Sequence, residues 1–229
     1  QDLGHASYAR MVRIYANAGG TYGDLWGSTL KRVDQGNLLL TDKGMPIKVS
    51  ALSTLGNANP DWMGGITNTF GYTGFDLSFQ IDMRYGGDVY MGSIRTGTNS
   101  GTLEKSLHGR EGFVVDGIIE STGQRNTQEV KAENYWGTMA SRTEPWIYDA
   151  TNIRLRELSV GYTVPRKVLS NTPIQSAKIS FVGRNLWMIH SKTDGFDPES
   201  GFSTGNAQGF EFGSMPTPRS LGFNVNVTF

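Results

Sequence analysis

The sequence predicts an all-β protein of the antiparallel transmembrane β-barrel class. Three observations predict this class: long strands with a strict two-residue alternation, a last strand that closes on phenylalanine, and long connections that alternate with short ones. The sequence also lacks any apolar run near the ~20 residues that a membrane-spanning helix needs. A chain of this kind crosses lipid as a closed barrel, because lipid offers no partner to free backbone groups.

The clearest strand runs from Phe75 to Tyr85. Its apolar and polar side chains alternate without a mismatch, which gives the strand one apolar and one wet face. Strands of soluble proteins usually have about five or six residues, whereas a tilted membrane strand needs ~9 to 11. On the polar face, Asp82 and Arg84 predict a charge network in the barrel interior, with plain water-facing side chains as the alternative.

The last strand has the same pattern. Apolar residues stand at every second position from Leu221 to Phe229, and Pro216 and Pro218 precede the strand, where a missing N–H harms the sheet least. Weaker strands are predicted at 22–31, 38–41, 66–72, 153–162 and 177–187, for a total of about seven to nine. The apolar phase of 153–162 slips between Leu155 and Leu158, which indicates a β-bulge.

The connections sort by length. The segments 87–150, with a short helix predicted at Leu103–His108, and 189–218 are long, whereas 71–74 and 163–176 are short. Outer-membrane barrels have long extracellular loops and short periplasmic turns. This assignment predicts two aromatic membrane girdles, an inner one with Tyr72, Phe75, Tyr162 and Phe229 and an outer one with Tyr85 and Trp187.

Composition excludes several function classes. The 21 basic and 21 acidic residues balance, so no electrostatic footprint for nucleic acid is present. Cysteine is absent from the sequence, which excludes disulfides and thiol chemistry, and no catalytic constellation stands out. We therefore expect neither an enzyme nor a cofactor. Asp194, Asp197 and Glu199 suggest a Ca²⁺ site, but their spacing does not fit the helix-flanked calcium loop and favours a turn.

Aromatic side chains in the long connections are candidate contacts for a ligand or a partner protein. Aromatic faces stack on sugar rings and anchor interfaces. The alternative is that they pack the loops together or lie in the girdle. The candidates are Tyr135, Trp136, Trp146, Phe196, Phe202 and Phe210.

Several motifs together resemble the SusC/RagA family of TonB-dependent outer-membrane transporters. They lie in the family's order over about residues 22–229: LGNANPDW with GG (55–65), GYTGFDLSF to RYGGDVY (71–90), YDA with IRLREL and GYTVP (148–165), GRNLW (183–187), GFDPES (195–200) and PTPR into the final strand (216–229).

The resemblance implies that residues 1–229 are the C-terminal part of a plugged barrel of about 22 strands, without the plug and earlier strands. It implies TonB-dependent import of oligosaccharides, or peptides, across the bacterial outer membrane. A SusD-like lipoprotein would sit over the extracellular loops, and TonB would act through the absent N-terminal region. Two alternatives remain open: a soluble all-β carbohydrate-binding module, and a passive porin or adhesin barrel.

Overall fold

A computed structural model describes residues 2–4, 12–16, 18–33, 36–193, 195–201, 205 and 208–229. The chain divides into two compact units. We call Pro60–Gly86, Ala150–Glu199 and Met215–Phe229 the sheet unit, and Gln1–Asn59, Gly87–Asp149 and Ser200–Ser214 the packed unit. Within the described part, no helix is long and apolar enough to cross a membrane.

The described elements are mostly strands. In chain order the strands are β1 (Asp2–Gly4), β2 (Val12–Tyr15), β3 (Asp24–Leu30), β4 (Leu39–Leu40), β5 (Lys48–Asn57), β6 (Trp62–Tyr72), β7 (Phe75–Tyr85), β8 (Asp88–Met91), β9 (Phe113–Val114), β10 (Ile118–Ile119), β11 (Glu129–Val130), β12 (Ile147–Asp149), β13 (Asn152–Thr163), β14 (Ser176–Ser191), β15 (Phe210–Glu211) and β16 (Ser220–Thr228). The α-helices are α1 (Gly92–Asn99), α2 (Ala132–Met139) and α3 (Arg166–Leu169), and 3-10 turns lie at Glu104–Ser106 and Glu144–Trp146.

The sheet unit is one five-stranded antiparallel sheet with the order β16-β14-β13-β7-β6. Its hairpin between β6 and β7 closes with Tyr72 opposite Phe75, which leaves Thr73 and Gly74 as the turn. Both turn residues have positive φ, 47° and 85°. This is the backbone that two-residue hairpins favour, because its twist matches the strands, and it confirms the short connection.

A paired irregularity interrupts this sheet. Leu155 lies opposite Ile81 and Glu157 opposite Gln80, so that Arg156 is an extra residue in β13. The neighbouring β14 is irregular at the same level, where Asn185 has a φ of 51°. The bulge predicted between Leu155 and Leu158 is confirmed. It turns both Arg156 and Glu157 toward the polar face, which a regular strand would not allow.

The two faces of the sheet differ in character. Residues that lie opposite each other share a face, and the register puts Phe70, Leu77, Val160, Phe181 and Phe223 in one row across all five strands. All five side chains are exposed. The other face carries the charged and hydroxyl residues. The antiparallel barrel-wall fold predicted from alternation is confirmed.

The packed unit is less regular. Among the described residues, the order β1-β2-β3-β5 forms one sheet, and the remaining strands form two pairs, β10-β4 and β11-β9, and one triplet, β12-β8-β15. One of its buried clusters consists of Leu40, Val115, Ile119 and Val130. The predicted total of seven to nine strands is too low, because the prediction missed β5 and, apart from β4 within 38–41, the two- to four-residue strands. The segment 87–150 also contains α1 and α2, and the helix predicted at Leu103–His108 is only the short turn Glu104–Ser106.

Candidate functional site

A cluster of charged side chains lies on the polar face of the sheet unit. Strands β7 and β13 contribute Asp82, Arg154 and Arg156, while Asp197 and Glu199 come from the segment 195–199. The IRLREL and GFDPES motifs, which are far apart in sequence, therefore meet at one place. We call these five residues the arginine cluster.

Arg156 is the hub of the arginine cluster. Its Nε donates to Asp82 Oδ2 (2.7 Å), and its Nη2 donates to both carboxylate oxygens of Glu199 (3.0 Å each). Its Nη1 donates to Asn185 Oδ1 (3.1 Å), and Asn185 Nδ2 donates in turn to the Pro218 carbonyl (3.2 Å). The bulge in β13 and the left-handed residue in β14 are thus the local features that aim these groups at each other.

The ion pair between Arg154 and Asp197 is the most buried part of the cluster. Arg154 Nη2 donates to Asp197 Oδ1 at 2.5 Å, and the two side chains are 5% and 8% exposed. The amides of Glu199 (3.0 Å) and Thr217 (2.9 Å) also donate to the Asp197 carboxylate. Burial alone raises the pKa of Asp197, but the hydrogen bonds from Arg154 and the amides outweigh it and hold the pKa below its ordinary value.

This geometry fixes backbone rather than performing chemistry. Removing one member of a buried ion pair leaves an uncompensated charge and is strongly destabilising, whereas the intact pair adds little beyond a well-packed apolar substitute. The arginine cluster therefore specifies where residues 195–199 and 217–218 lie against the polar face of the sheet. In the sequence, Arg154 and Arg156 are recognisable only as positions of the IRLREL motif. The sequence did contain one signal for this cluster. Two arginines on the polar side of one strand indicate that carboxylates lie nearby to pair with them.

The predicted charge network of the Phe75 strand is confirmed for Asp82, which pairs with Arg156. Arg84 lies on the same face, opposite Asn152 in β13. The network therefore runs between strands and a following segment, and it does not join Asp82 to Arg84 directly in any described ion pair.

The predicted girdle residues other than Trp187 group at two ends of the sheet. Tyr72, Phe75 and Tyr162 are together at the hairpin end, where the rings of Phe75 and Tyr162 are 4.5 Å apart, and Phe229 follows Thr228, which lies opposite Ser176. Tyr85 stacks on Trp62 at the other end, with ring centroids 5.9 Å apart. Trp187 lies opposite Leu155. A location of these rings at membrane rims stays a prediction.

The candidate loop aromatics separate by burial. Trp146 and Phe210 have no exposed surface, and Trp146 Nε1 donates to the Met139 carbonyl (3.0 Å). These two residues pack the chain, as the alternative predicted, and we withdraw them as contacts. Tyr135, Trp136 and Phe196 are half-buried and stay candidates, whereas Phe202 lies outside the described residues.

The predicted turn around Gly195 holds two of the three suggested Ca²⁺ ligands. Asp197 and Glu199 both face arginines, with which a cation would compete. Asp194 lies outside the described residues. Among the residues that are described, no group of three or more acidic, histidine or cysteine side chains has the arrangement of a metal site.

Comparison with known proteins adds the following. No family model matches the chain. It is 26% identical over 182 residues to TonB-dependent receptor P3 of Formosa agariphila, covering 76% of this chain and 17% of that protein, and 29% identical to TonB-dependent receptor P26 of the same organism, covering 76% and 18%. The chain thus spans less than a fifth of the length of these relatives.

Solved structures agree on the fold. The RagAB peptide importer in its open-open state matches with a TM-score of 0.64 and 17% identity, covering 91% of this chain and 22% of that one. Its closed-closed state matches with a TM-score of 0.61 and 16% identity, covering 91% and 23%. The resemblance to SusC/RagA-type TonB-dependent receptors that the sequence motifs predict is confirmed.

Proposed function

We propose that this chain forms wall and loops of a TonB-dependent importer in the bacterial outer membrane. One observation carries the proposal. Among the described residues, the sheet unit has only Ala150 and Leu169 as buried hydrophobic side chains, although it holds the long strands. Most of its large apolar side chains are exposed on one face instead, from Trp62 in β6 to Val227 in β16.

The size of this apolar face distinguishes lipid from water as its environment. Exposing one large apolar side chain to water instead of burying it costs roughly 1.5 to 3 kcal/mol, and soluble monomers rarely expose apolar patches above a few hundred Å². The free-energy cost of exposing a dozen such side chains to water would exceed the whole unfolding free energy of an ordinary domain. The face therefore supports a lipid contact and argues against the soluble carbohydrate-binding module.

Strand length supports the same environment. β6 and β7 have 11 residues each and β13 has 12, which fits the ~9 to 11 residues that a tilted strand needs to cross lipid. We infer that the open edges of the sheet, β6 and β16, continue into further barrel strands.

For the substrate we propose an oligosaccharide, since the half-buried rings of Tyr135, Trp136 and Phe196 suit stacking on sugars. A peptide is the second candidate, because the solved relatives are named as a peptide importer. The resemblance adds a SusD-like lipoprotein over the loops and TonB as the source of work, acting through a region that this chain does not contain.

Uptake in living cells tests this proposal. We expect a strain that lacks the gene to lose growth on its oligosaccharide or peptide source, and deletion of TonB to cause the same loss. A passive porin would keep uptake without TonB, and that result would contradict the proposal. Affinity purification of the receptor from solubilised outer membranes should retain a surface lipoprotein; a receptor that purifies alone would remove the partner from the account.

A further inference from the structure

A cleft in the packed unit has the properties of a binding site. It has a volume of about 410 Å³ and lies between the last turn of α1, the residues that follow it, and the start of α2. Its lining includes Thr98, Asn99, Arg110, Lys131, Glu133 and Trp136. We call it the α2 cleft.

The N-terminus of α2 opens into this cleft. Lys131 is the N-cap residue, and no side chain caps the helix. The first backbone bond of the helix runs from the Tyr135 amide to the Lys131 carbonyl (3.0 Å), so the amides of residues 132–134 have no partner inside the helix. Free amides and the positive end of the helix dipole favour an anion.

Two buried donors line the same cleft without a partner among the described residues. Thr98 is 1% exposed, and its hydroxyl makes no hydrogen bond. The indole Nε1 of the half-buried Trp136 is also buried and makes no hydrogen bond. A buried polar group without a partner is destabilising by about 1 to 3 kcal/mol. An indole N–H only donates, so the atom that satisfies it must be an acceptor.

The charges at the cleft also favour acceptors. Arg110 and Lys131 are cations, against the single carboxylate of Glu133. Arg110 Nη2 donates to the Gly101 carbonyl (3.1 Å), which holds the guanidinium beside the cleft. Because the Thr98 and Trp136 donors have almost no exposed surface, a ligand group reaches them only when neighbouring side chains of the cleft rearrange.

A second cavity continues the α2 cleft. It has a volume of about 970 Å³, shares Asn99, Lys131 and Glu133 with the first, and extends to Lys43 and Arg142. A ligand longer than one residue therefore has room on both sides of Lys131, which a free inorganic ion would not use.

We propose that the α2 cleft binds an anionic group, a carboxylate or a sulfate, of an oligomeric ligand. This inference rests on the proposed import function, since it specifies which substrates the importer takes. Thr98, Trp136, Lys131 and Arg110 supply donors to the anionic oxygens, and the second cavity accommodates the neighbouring residues of the oligomer.

Direct binding to the receptor expressed from its complete gene and purified in detergent tests the proposal. The probes are matched pairs for calorimetry: trigalacturonic acid and its neutral methyl ester, a sulfated and an unsulfated trigalactose, and triglutamate and triglutamine, both with acetylated and amidated termini. We expect at least one anionic probe to bind and its neutral partner to bind at least about tenfold more weakly, because one lost charge-assisted hydrogen bond is worth that much. Equal affinities within every pair, or no binding of any anionic probe, would overturn the proposal.

Variants locate the site. Lys131→Gln and Trp136→Phe should each weaken the anionic probe about tenfold, whereas Lys167→Gln, an exposed lysine outside the cleft, should leave affinity unchanged. Thr98→Val removes the unpartnered hydroxyl at nearly constant volume, so it should raise thermal stability and weaken binding of the anionic probe. If the threonine had only a structural role, the substitution would not change stability and affinity in opposite directions. Unchanged affinity in Lys131→Gln would contradict the site. The binding assay needs no TonB. A receptor can therefore fail to bind the anionic probes and still import its substrate, or bind the probes and fail to import, so the two proposals fail independently.

Discussion

The packed unit and the sheet unit differ in where they place their apolar side chains. The packed unit has mostly short strands, short helices and long irregular segments, yet it holds Trp146, Tyr90 and Phe210 at full burial. The sheet unit has the long regular strands and almost no buried apolar side chain among its described residues. Regular secondary structure and a hydrophobic core are therefore separate properties in this chain.

Under the proposed function, the difference follows from the solvent that each unit meets, water for the packed unit and lipid for the apolar face of the sheet unit. Segments in water must enclose apolar side chains, whatever their backbone does. Strands in lipid need every backbone hydrogen bond but no apolar core, because lipid receives their apolar face. What stays inside the barrel must be polar and mutually satisfied, and the arginine cluster meets that requirement.

The largest expected effect is on stability, and it distinguishes the two units by the same substitution, tryptophan to alanine, in each. Trp146→Ala should destabilise the packed unit by about 3 to 5 kcal/mol, because it leaves a buried cavity, whereas Trp187→Ala, on the exposed apolar face, should cost under about 1 kcal/mol. Hydrogen-exchange mass spectrometry reports the loss as reduced protection of residues 132–149. Equal effects of the two substitutions would remove the distinction between the units.

The buried ion pair should give the next largest effect. Asp197→Ala leaves the buried Arg154 with only its longer contact to Glu199 (3.8 Å), so the fixing of residues 195–199 should weaken by about 3 kcal/mol. The double variant Arg154→Met with Asp197→Leu should recover most of that loss, since it removes both charges. Exchange rates of peptides that cover 195–199 measure both. A double variant as unstable as the single one would show that the charges themselves are needed.

The same carboxylate predicts a pH dependence. Its folded pKa lies below the ordinary value of 3.8, so its stabilising effect is present above that value and is lost as pH falls through the lower, folded pKa. We expect opening of residues 195–199 to increase only in that acid range. Asp197→Asn should remove this dependence, and an unchanged acid response in the variant would assign it to another group.

A smaller effect on stability is expected when arginine is replaced by lysine at two positions of the polar face. Arg156→Lys loses the two-oxygen contact with Glu199 and should destabilise by about 1 kcal/mol. Arg184→Lys, in an exposed pair with Glu157, should change stability by less than about 0.5 kcal/mol. Urea unfolding in detergent distinguishes them, and a larger effect at Arg184 would contradict the hub role of Arg156.

The sheet unit was more predictable from sequence than the packed unit. A strand with one face in lipid and one in water must alternate, and Phe75–Tyr85 matches the observed β7 at both ends. Even the bulge at Arg156 is visible, because an extra residue reverses the phase. In contrast, β5 and α1 contain hydroxyl, glycine and β-branched residues without a periodic apolar pattern, so packing rather than local preference determines them.

The site was less predictable for a similar reason. Arg154 and Asp197 are 43 positions apart, and only the folded sheet brings them together. The GFDPES motif suggested a turn, which fits, but its carboxylates gave no indication of their arginine partners. In the same way, the burial of Trp146 and Phe210 depends on segments from distant parts of the chain, and their aromatic character alone suggested exposed contacts.

The most direct test of the account asks what the two faces of β16 touch. Residues 1–229 contain no cysteine. Once any cysteine elsewhere in the receptor is replaced, single nitroxide labels at Phe223→Cys and Asn224→Cys can be compared in the receptor reconstituted in lipid vesicles. We expect oxygen to relax the label at position 223 and a water-soluble nickel chelate to relax the label at position 224. A label at 223 that responds to the nickel chelate as strongly as the one at 224 would contradict the lipid contact of the apolar face.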